Sequence, residues 1–181
     1  MTIEHHTQAP SDWVRRWGHL IPDRPGGARV LVQACGHGRH SRWLMRQGHQ
    51  VTAVDRDAQA LAGLADLAPW VRTLSAALED APWPLAGREF EAVVVTNYLY
   101  RPYLELLPDL LAEGGLLIYE TFAYGNAAFG KPSNPDFLLQ TGELLDFAAR
   151  HGLHVLHDQK HLMNRIFCFG LTVFTNGFMV F

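Results

Sequence analysis

The chain has 181 residues, of which 15 are Lys or Arg and 18 are Asp or Glu, and its formal net charge at pH 7 is −3. This length fits one domain with its own core. The sequence has no cluster of Lys and Arg, so it shows no nucleic-acid or membrane signal, and this charge balance favours a small or neutral ligand. Two cysteines, Cys35 and Cys168, exclude a disulfide framework, and the first ten residues lack the apolar core of a secretion signal, so we expect a cytoplasmic protein.

Predicted helices and strands alternate along most of the chain. A capped helix begins after Ser11, and a Pro- and Gly-rich linker follows at 22–27. Strands are predicted at Arg29–Gln33, Gln50–Val54, Val71–Leu74, Phe90–Val95 and Leu116–Glu120, and helices at Gly38–Gln47, Ala58–Leu67, Pro102–Ala112 and Gly142–Arg150. Because such alternation gives right-handed crossovers, it predicts an α/β fold with a Rossmann-like, mostly parallel sheet and helices on both faces. We assign residues 1–27 to an amino-terminal extension with a short helix and residues 28–181 to the domain itself.

The end of the chain predicts a C-terminal antiparallel hairpin. A strand begins at Gly152–Leu156, and the strands Ile166–Thr175 and Phe178–Phe181 flank Asn176-Gly177, a pair typical of tight hairpin turns. The apolar run over 166–181 is shorter than the roughly 20 residues that a membrane helix needs. We therefore interpret it as strands, and we hypothesise a homodimer that forms through them.

A glycine loop follows the first predicted strand. Gly36 and Gly38 stand between that strand and a helix, where glycine lets the backbone turn sharply and approach a ligand, and where the helix start offers free N–H groups. Asp55 follows at the carboxyl end of the second strand, where a carboxylate can accept both hydroxyl protons of a ribose. The pattern predicts a nucleotide-like cofactor at this edge of the sheet. The plainer alternative is a tight turn, with Asp55 capping the helix that starts near Asp57.

Dinucleotides and S-adenosylmethionine both use this geometry. The dinucleotide pattern expects a third glycine where this chain has Ser41. Val30–Asp55, together with Leu111–Leu117 and the segment 120–135, resembles the class I S-adenosylmethionine-dependent methyltransferases, in a bacterial branch near the tellurite-resistance methyltransferases. The resemblance covers Arg29–Leu156. A small NAD-dependent oxidoreductase, and a degenerate cofactor-binding domain without transferase activity, stay open as alternatives.

The resemblance implies direct in-line transfer of a methyl group from S-adenosylmethionine to a small molecule. It implies cofactor contacts from Cys35, Gly36, His37, Gly38, Asp55, Arg56, Leu78, Glu79 and Asn97, and catalytic candidates at Asn97, Tyr98, Tyr100 and Glu120. The chain departs from the class pattern at three positions: Val32 stands in place of an acid, Ala34 in place of a glycine, and Ala77 in place of an acid after the third strand. At the last position, Glu79 or Asp80 must substitute.

Histidine and cysteine patterns do not point to a metal. The pair His37 and His40 starts a helix, while the histidines at 151, 154, 157 and 161 straddle a helix end, a strand and a loop, so they do not share one face. No metal site is predicted. Cys35 lies beside a helix start, which can lower a thiol pKa, but a small buried side chain is the preferred interpretation.

A long irregular segment, Thr121–Pro135, follows the fifth predicted strand. It combines aromatic side chains with Gly125 and Gly130 and ends in prolines. Loops of this length without regular structure are often functional. We therefore predict that it acts as a lid over the site, with a plain surface excursion as the alternative.

Overall fold

The centre of the protein is one seven-stranded sheet. A computed structural model describes residues 9–77, 79, 83–163 and 166–175. The strands are β1 (Arg29–Gln33), β2 (Gln50–Asp55), β3 (Val71–Ser75), β4 (Phe90–Thr96), β5 (Leu111–Phe122), β6 (His154–Met163) and β7 (Ile166–Phe174), in the spatial order β3-β2-β1-β4-β5-β7-β6. Strands β1 to β5 are parallel, and β7 runs antiparallel to both β5 and β6. The predicted mostly parallel sheet with an antiparallel C-terminal hairpin is confirmed.

Helices cover both faces of the sheet. They are α1 (Asp12–Trp17), α2 (Arg39–Arg46), α3 (Ala58–Ala62), α4 (Arg101–Leu104) and α5 (Glu143–Arg150), with single turns of 3-10 helix at Gly18–Leu20, Ala65–Leu67, Pro108–Leu110, Asn126–Ala128 and Pro135–Phe137. Successive strand residues point to opposite faces. Val30 and Val32 therefore join the core under α1, α2 and α3, while Leu31 joins the core under α4 and α5.

The helix α1 is part of the core rather than an appendage. Ser11 caps it, since its Oγ accepts the Val14 N–H at 3.1 Å, as the sequence predicted. Trp13 is 5% exposed and lies flat on Gly170 of β7, where a Cβ would overlap the indole ring. The division at residues 27 and 28 stays a prediction, but α1 shares its apolar contacts with the sheet.

The helix predicted over Pro102–Ala112 is wrong for most of its length. The helix α4 ends at Leu104, and β5 already begins at Leu111. Pro108 lacks a backbone N–H, so it cannot donate to the Leu104 carbonyl as a continuous helix requires. Leu111 then pairs with Phe90 of β4, and Gly114 and Gly115 lie inside β5, where the pairing shifts register.

The C-terminal hairpin consists of β6 and β7. Its backbone pairs run from His154–Phe174 to Met163–Ile166. The turn predicted at Asn176-Gly177 and the strand predicted at Phe178–Phe181 lie outside the described residues. Within the described ranges, no helix is long and apolar enough to cross a membrane.

Candidate functional site

A pocket of about 230 Å³ lies where β1 to β4 end. Its walls come from the residues that follow these four strands: Ala34, Asp55, Arg56, Ala76, Ala77, Glu79 and Tyr98. In open parallel sheets, ligands bind outside the carboxyl ends of the strands, at the place where the strand order reverses. Here the order reverses between β1 and β4, which are neighbours, and the pocket lies beside that point.

The glycine loop has a left-handed backbone at three alternate residues. The φ angles of Ala34, Gly36 and Gly38 are +50°, +53° and +78°. A Cβ on Gly38 would overlap the Leu64 side chain, whereas a Cβ on Gly36 would meet no described atom within 4 Å. Gly38 is therefore required for packing against the protein, and Gly36 leaves open space in front of the loop.

Asp55 holds this loop in place. Its Oδ2 accepts the Gly36 N–H at 2.7 Å, and its Oδ1 accepts the Asp57 N–H at 2.9 Å. The cap of α3 is Asp57, whose Oδ1 accepts the N–H groups of Gln59 and Ala60. The alternative in which Asp55 caps that helix is therefore wrong. Each carboxylate oxygen of Asp55 keeps a further lone pair, so the half-buried side chain can still accept hydroxyl protons.

Three of the predicted residues close one side of the pocket. Arg56 and Glu79 form an ion pair at 3.8 Å, and Tyr100 Oη donates to the Glu79 carbonyl at 3.4 Å. These contacts tie the segment after β3 to the ends of β2 and β4. Leu78 and Asp80, which the sequence also suggested here, lie outside the described residues.

Tyr98 contributes a buried hydroxyl to the pocket wall. Its Oη has no hydrogen-bond partner among the described residues, and burial, assisted by the charge of Glu79, raises the Tyr98 pKa above its usual range. The Tyr119 hydroxyl donates to the Tyr98 carbonyl at 2.7 Å and so fixes the backbone. Tyr98 stays protonated at neutral pH, which suits a hydrogen-bond donor rather than a base.

The remaining loop residues have different roles. Cys35 is 6% exposed, and burial, together with the Asp55 charge, raises its pKa to about 12, so the alternative of an activated thiol is wrong. His37 is exposed at the tip of the loop. Asn97 has a φ of +56° and donates its N–H to the Glu120 carbonyl at 2.9 Å, which turns the chain sharply at the end of β4.

The structure does not bring the Glu120 side chain into this pocket. Glu120 is 1% exposed and shares a sheet face with Leu116 and Ile118, which lie in the core under α1 and α2. Its backbone pairs with Gly170, the residue that Trp13 covers. Its catalytic role, like that of Asn97, Tyr98 and Tyr100, stays a prediction.

Sequence reasoning missed an ionic contact that fixes the loop after β5. Arg101 donates from Nε and Nη2 to the two carboxylate oxygens of Glu143 at 2.7 and 3.0 Å, and it also donates to the carbonyls of Asp136 and Leu138. The segment 123–139 is closed at its base by the pairing of residues 123 and 139. Arg101 and Glu143 stand 42 positions apart, so no local sequence pattern predicts the pair.

Part of the predicted lid is thus regular structure. Thr121 and Phe122 belong to β5, and Asn126 is buried, with its Nδ2 donating to the Pro132 carbonyl at 2.9 Å. Tyr124 and Phe129 are 63% and 48% exposed. The lid role stays a prediction for the exposed part of the loop. Among the described residues, no group of three or more His, Cys, Asp or Glu side chains could hold a metal.

Comparison with known sequences bears directly on this pocket. Residues 30–115, which contain the glycine loop, Asp55 and Tyr98, match a family described as a methyltransferase domain. This match supports the methyltransferase that the sequence predicted. Comparison with curated proteins gives no match.

Solved structures share the fold of this methyltransferase. An S-adenosylmethionine-dependent methyltransferase from Mesorhizobium loti is 16% identical, with a TM-score of 0.67 over 88% of this chain and 97% of that one. A TehB-like methyltransferase from Corynebacterium glutamicum is 20% identical, with a TM-score of 0.62 over 92% and 97% of the two chains. The 1,6-didemethyltoxoflavin-N1-methyltransferase from Burkholderia thailandensis is 18% identical, with a TM-score of 0.67 over 91% and 76%.

The solved structures confirm the class I methyltransferase fold, and the family match over residues 30–115 supports the predicted methyltransferase. S-adenosylmethionine, the cofactor that the sequence predicted, is the cofactor of the enzymes that share this fold, and the Burkholderia structure contains S-adenosylhomocysteine. Nothing in the comparisons supports the NAD-dependent oxidoreductase or the inactive domain.

Proposed function

We propose that this methyltransferase transfers the methyl group of S-adenosylmethionine to a small, uncharged molecule, and that the pocket beside Asp55 holds the cofactor. The observation that carries this proposal is the contact of Asp55 Oδ2 with the Gly36 N–H at 2.7 Å, because it fixes an acid and an open glycine at one wall of the pocket. A ribose needs such an acceptor, and a cofactor needs such a close approach to backbone.

The residues present fit an adenosine-containing cofactor. Ala34, Ala76 and Ala77 give small apolar walls on which a flat ring can pack, and Asp55 supplies the hydroxyl acceptor. The Tyr98 hydroxyl, which has no partner among the described residues, is a hydrogen-bond donor at the same wall. The predicted contacts from Gly36, Arg56, Glu79 and Asn97 all lie around this pocket or at the strand end beside it.

The chain's task in the reaction is alignment. When bound, S-adenosylmethionine supplies a methyl group on a sulfonium, which is already activated for in-line displacement. The residues after β4 then hold the acceptor on line and exclude water. Tyr98 and Tyr100 also offer aromatic faces, which attract a cation by about 0.5–2 kcal/mol. Neither the raised pKa of Tyr98 nor the buried position of Glu120 favours a base at the pocket wall.

Charge pairing around the site supports an uncharged acceptor. Arg56 pairs with Glu79, and Arg101 pairs with both oxygens of Glu143. Each of these charges is thus matched within the protein, so none of them is left to neutralise an ionic substrate. The Burkholderia relative was solved with a small heterocyclic molecule, which is consistent with a small acceptor here.

Cofactor titration tests the proposal. We expect S-adenosylhomocysteine to bind in calorimetry and to raise the melting temperature, and NAD to do neither. Asp55→Ala should weaken S-adenosylhomocysteine about tenfold to several hundredfold, since charge-assisted hydrogen bonds contribute roughly 1.5–3 kcal/mol each. The matched control is Asp57→Asn, which keeps the helix cap and should leave the affinity unchanged.

Two outcomes would contradict this assignment. One is binding of NAD without binding of S-adenosylhomocysteine at millimolar concentration. The other is a folded Asp55→Ala protein with the affinity of the wild type. Formation of S-adenosylhomocysteine with a panel of small uncharged acceptors then separates an active transferase from a binding domain.

The proposal includes an assembly and a location. The predicted homodimer would form through the C-terminal strands, and among the described strands β6 lies at the edge of the sheet, with β7 on one side only. Edge strands can pair with a second chain. Sedimentation analysis tests this: a monomer at all concentrations contradicts it. The cytoplasmic location stays a prediction from the sequence.

A further inference from the structure

His40 connects three separate parts of the chain. It lies in the first turn of α2 and is only 2% exposed. Its Nε2 is 3.1 Å from the backbone nitrogen of Ser11, just before α1, and its Nδ1 is 3.3 Å from Oγ1 of Thr96, the last residue of β4. In the sequence this histidine is notable only for standing three residues from His37, a spacing of metal ligands on a helix.

The contacts determine which ring nitrogen carries the proton. A backbone N–H can only donate, so Nε2 must accept from Ser11 and carries no hydrogen. The hydrogen therefore sits on Nδ1 and is donated to Thr96. Burial, assisted by the charge of Arg39, lowers the His40 pKa from 6.5 to about 3, so the ring stays neutral at physiological pH.

Each contacted part belongs to the neighbourhood of the pocket. His40 follows Gly38 by two residues, so it lies next to the glycine loop. Thr96 precedes Asn97, where the chain turns at the end of β4. Ser11 caps α1, whose Trp13 covers β7 at Gly170. The His40 imidazole thus connects the start of α2, next to the glycine loop, with the end of β4 and with the start of α1.

We propose that His40 is a positioning residue that couples the docking of α1 to the order of the glycine loop. Because coupling between two sites is reciprocal, a ligand on the loop tightens α1, and a well-docked α1 strengthens ligand binding. This inference rests on the proposed function for the identity of the ligand. The two are tested by separate measurements.

Ser11 offers a matched pair of variants. Ser11→Pro replaces the N–H that binds His40 with a ring Cδ, which breaks the contact and displaces the imidazole, and the Ser11 φ of −59° is one that proline adopts. Ser11→Ala keeps that N–H and loses only the Oγ cap, which Ser11→Pro loses as well. We expect Ser11→Pro to bind S-adenosylhomocysteine at least about 3- to 10-fold more weakly than Ser11→Ala, since loss of the hydrogen bond alone produces a change of that size.

Hydrogen exchange separates coupling from a merely structural contact. In Ser11→Ala, S-adenosylhomocysteine should slow the exchange of amides in Asp12–Trp17, and in Ser11→Pro it should not. Without any ligand, Ser11→Pro should also speed the exchange of the Gly38 and Arg42 amides relative to Ser11→Ala, since the loop loses a constraint.

The His40 side chain itself gives an independent readout. An Asn amide matches the place of Nδ1, and a Gln amide reaches the place of Nε2. His40→Gln should therefore retain the ligand-dependent protection of α1, and His40→Asn should lose it. In the wild type, the nitrogen spectrum of the ring should show hydrogen on Nδ1 alone. His151→Gln serves as a control and should change none of these readouts, since His151 contacts Glu105 and Phe147 rather than α1 or the glycine loop.

Failure of this inference differs from failure of the proposed function. If S-adenosylhomocysteine does not bind the wild type, the proposed function fails, and the ligand-free exchange of Gly38 and Arg42 still tests the coupling. If the ligand binds but the two Ser11 variants agree in affinity and exchange, the coupling is overturned and the proposed function stands. Hydrogen found on Nε2 would also overturn it.

Discussion

The two halves of the carboxyl edge are built from different kinds of contact. On the side of β1 and β2, the glycine loop is held by hydrogen bonds between backbone groups and one short acidic side chain: Asp55 accepts from the N–H groups of Gly36 and Asp57. On the side of β4 and β5, long side chains reach across the fold: Arg101 binds Glu143, and Tyr119 binds the Tyr98 carbonyl.

The ion pair of the second half differs from the contacts of the first half in how far apart in sequence its partners stand. Gly36 and Asp55 are 19 positions apart, in the loop after β1 and at the end of the adjacent parallel strand β2. Arg101 and Glu143 are 42 positions apart and belong to two helices separated by β5 and a loop. We infer that the first half of the edge is a rigid binding site for the cofactor, while the conformation of the second half can vary with the methyl acceptor.

Substitutions at the two loop glycines should have the largest effects and should separate binding from folding. Gly38→Ala places a Cβ against the buried Leu64 at a φ of +78°, so overpacking and backbone strain should together cost about 3 kcal/mol, or about 10 °C in melting temperature. Gly36→Ala meets no described atom within 4 Å and should cost only about 1–2 kcal/mol, yet it should weaken S-adenosylhomocysteine more than tenfold.

Thermal unfolding and calorimetric titration on both variants check this contrast. A Gly36→Ala protein that binds normally would show that the open space at Gly36 is not where the cofactor approaches. Equal losses of stability in the two variants would show that Leu64 moves aside without cost.

Local patterns explain what the sequence could predict. The strands β1 and β2, the glycine loop and Asp55 follow from a short apolar run, two glycines and one acid, all within Arg29–Asp55. The helix over Pro102–Ala112 was wrong because Pro108 removes one of its hydrogen bonds and because Leu111 pairs with Phe90 of β4, a contact that no local pattern shows. For Glu120, the alternation along a strand shows which residues share a face, but the sequence alone does not show which helices cover that face.

His40 spans both halves, so its titration should have the next largest effect. In the unfolded chain the histidine titrates near 6.5, and in the folded protein near 3. Below pH 6.5 the unfolded state therefore binds more protons, and stability falls as the pH drops towards 3. At pH 5 this amounts to about 2 kcal/mol relative to pH 7. His40→Gln lacks this contribution.

Chemical unfolding at pH 7 and pH 5 measures the effect. The stability difference between wild type and His40→Gln should shrink by about 2 kcal/mol at the lower pH. His49, whose pKa burial also lowers, contributes equally to both proteins and cancels. A constant difference across this range would mean that the pKa of His40 is the same in the folded protein as in the unfolded chain.

In the second half, Arg101→Gln should have a smaller effect that is local. It leaves Glu143 and two carbonyls without their donor, which should cost about 1.5 kcal/mol and speed hydrogen exchange in the segment 123–139. The control Arg150→Gln breaks an exposed pair with Glu105 and should cost well under about 1 kcal/mol. If both variants lose the same amount of stability, Arg101 is an ordinary surface charge, and the proposed contrast between the halves loses its support.

The smallest expected effect lies at Ala34, where the chain departs from the glycine of its class. Ala34 has a φ of +50°, which costs an alanine about 1–2 kcal/mol, and Ala34→Gly removes that strain. Glycine also makes the unfolded chain more flexible, which costs about 0.4–1 kcal/mol, so the net change in stability should be close to zero or slightly favourable.

Ala76→Gly is the matched control. Ala76 lines the same pocket without a left-handed backbone, so its replacement by glycine has only the unfavourable effect on the unfolded chain. Thermal unfolding should therefore rank Ala34→Gly above Ala76→Gly by about 1 kcal/mol. Since Ala34 also lines the pocket, removal of its methyl group should leave the affinity for S-adenosylhomocysteine equal or somewhat higher. If Ala34→Gly loses as much stability as Ala76→Gly, the alanine is not strained, and the first half of the edge tolerates side chains that its class excludes.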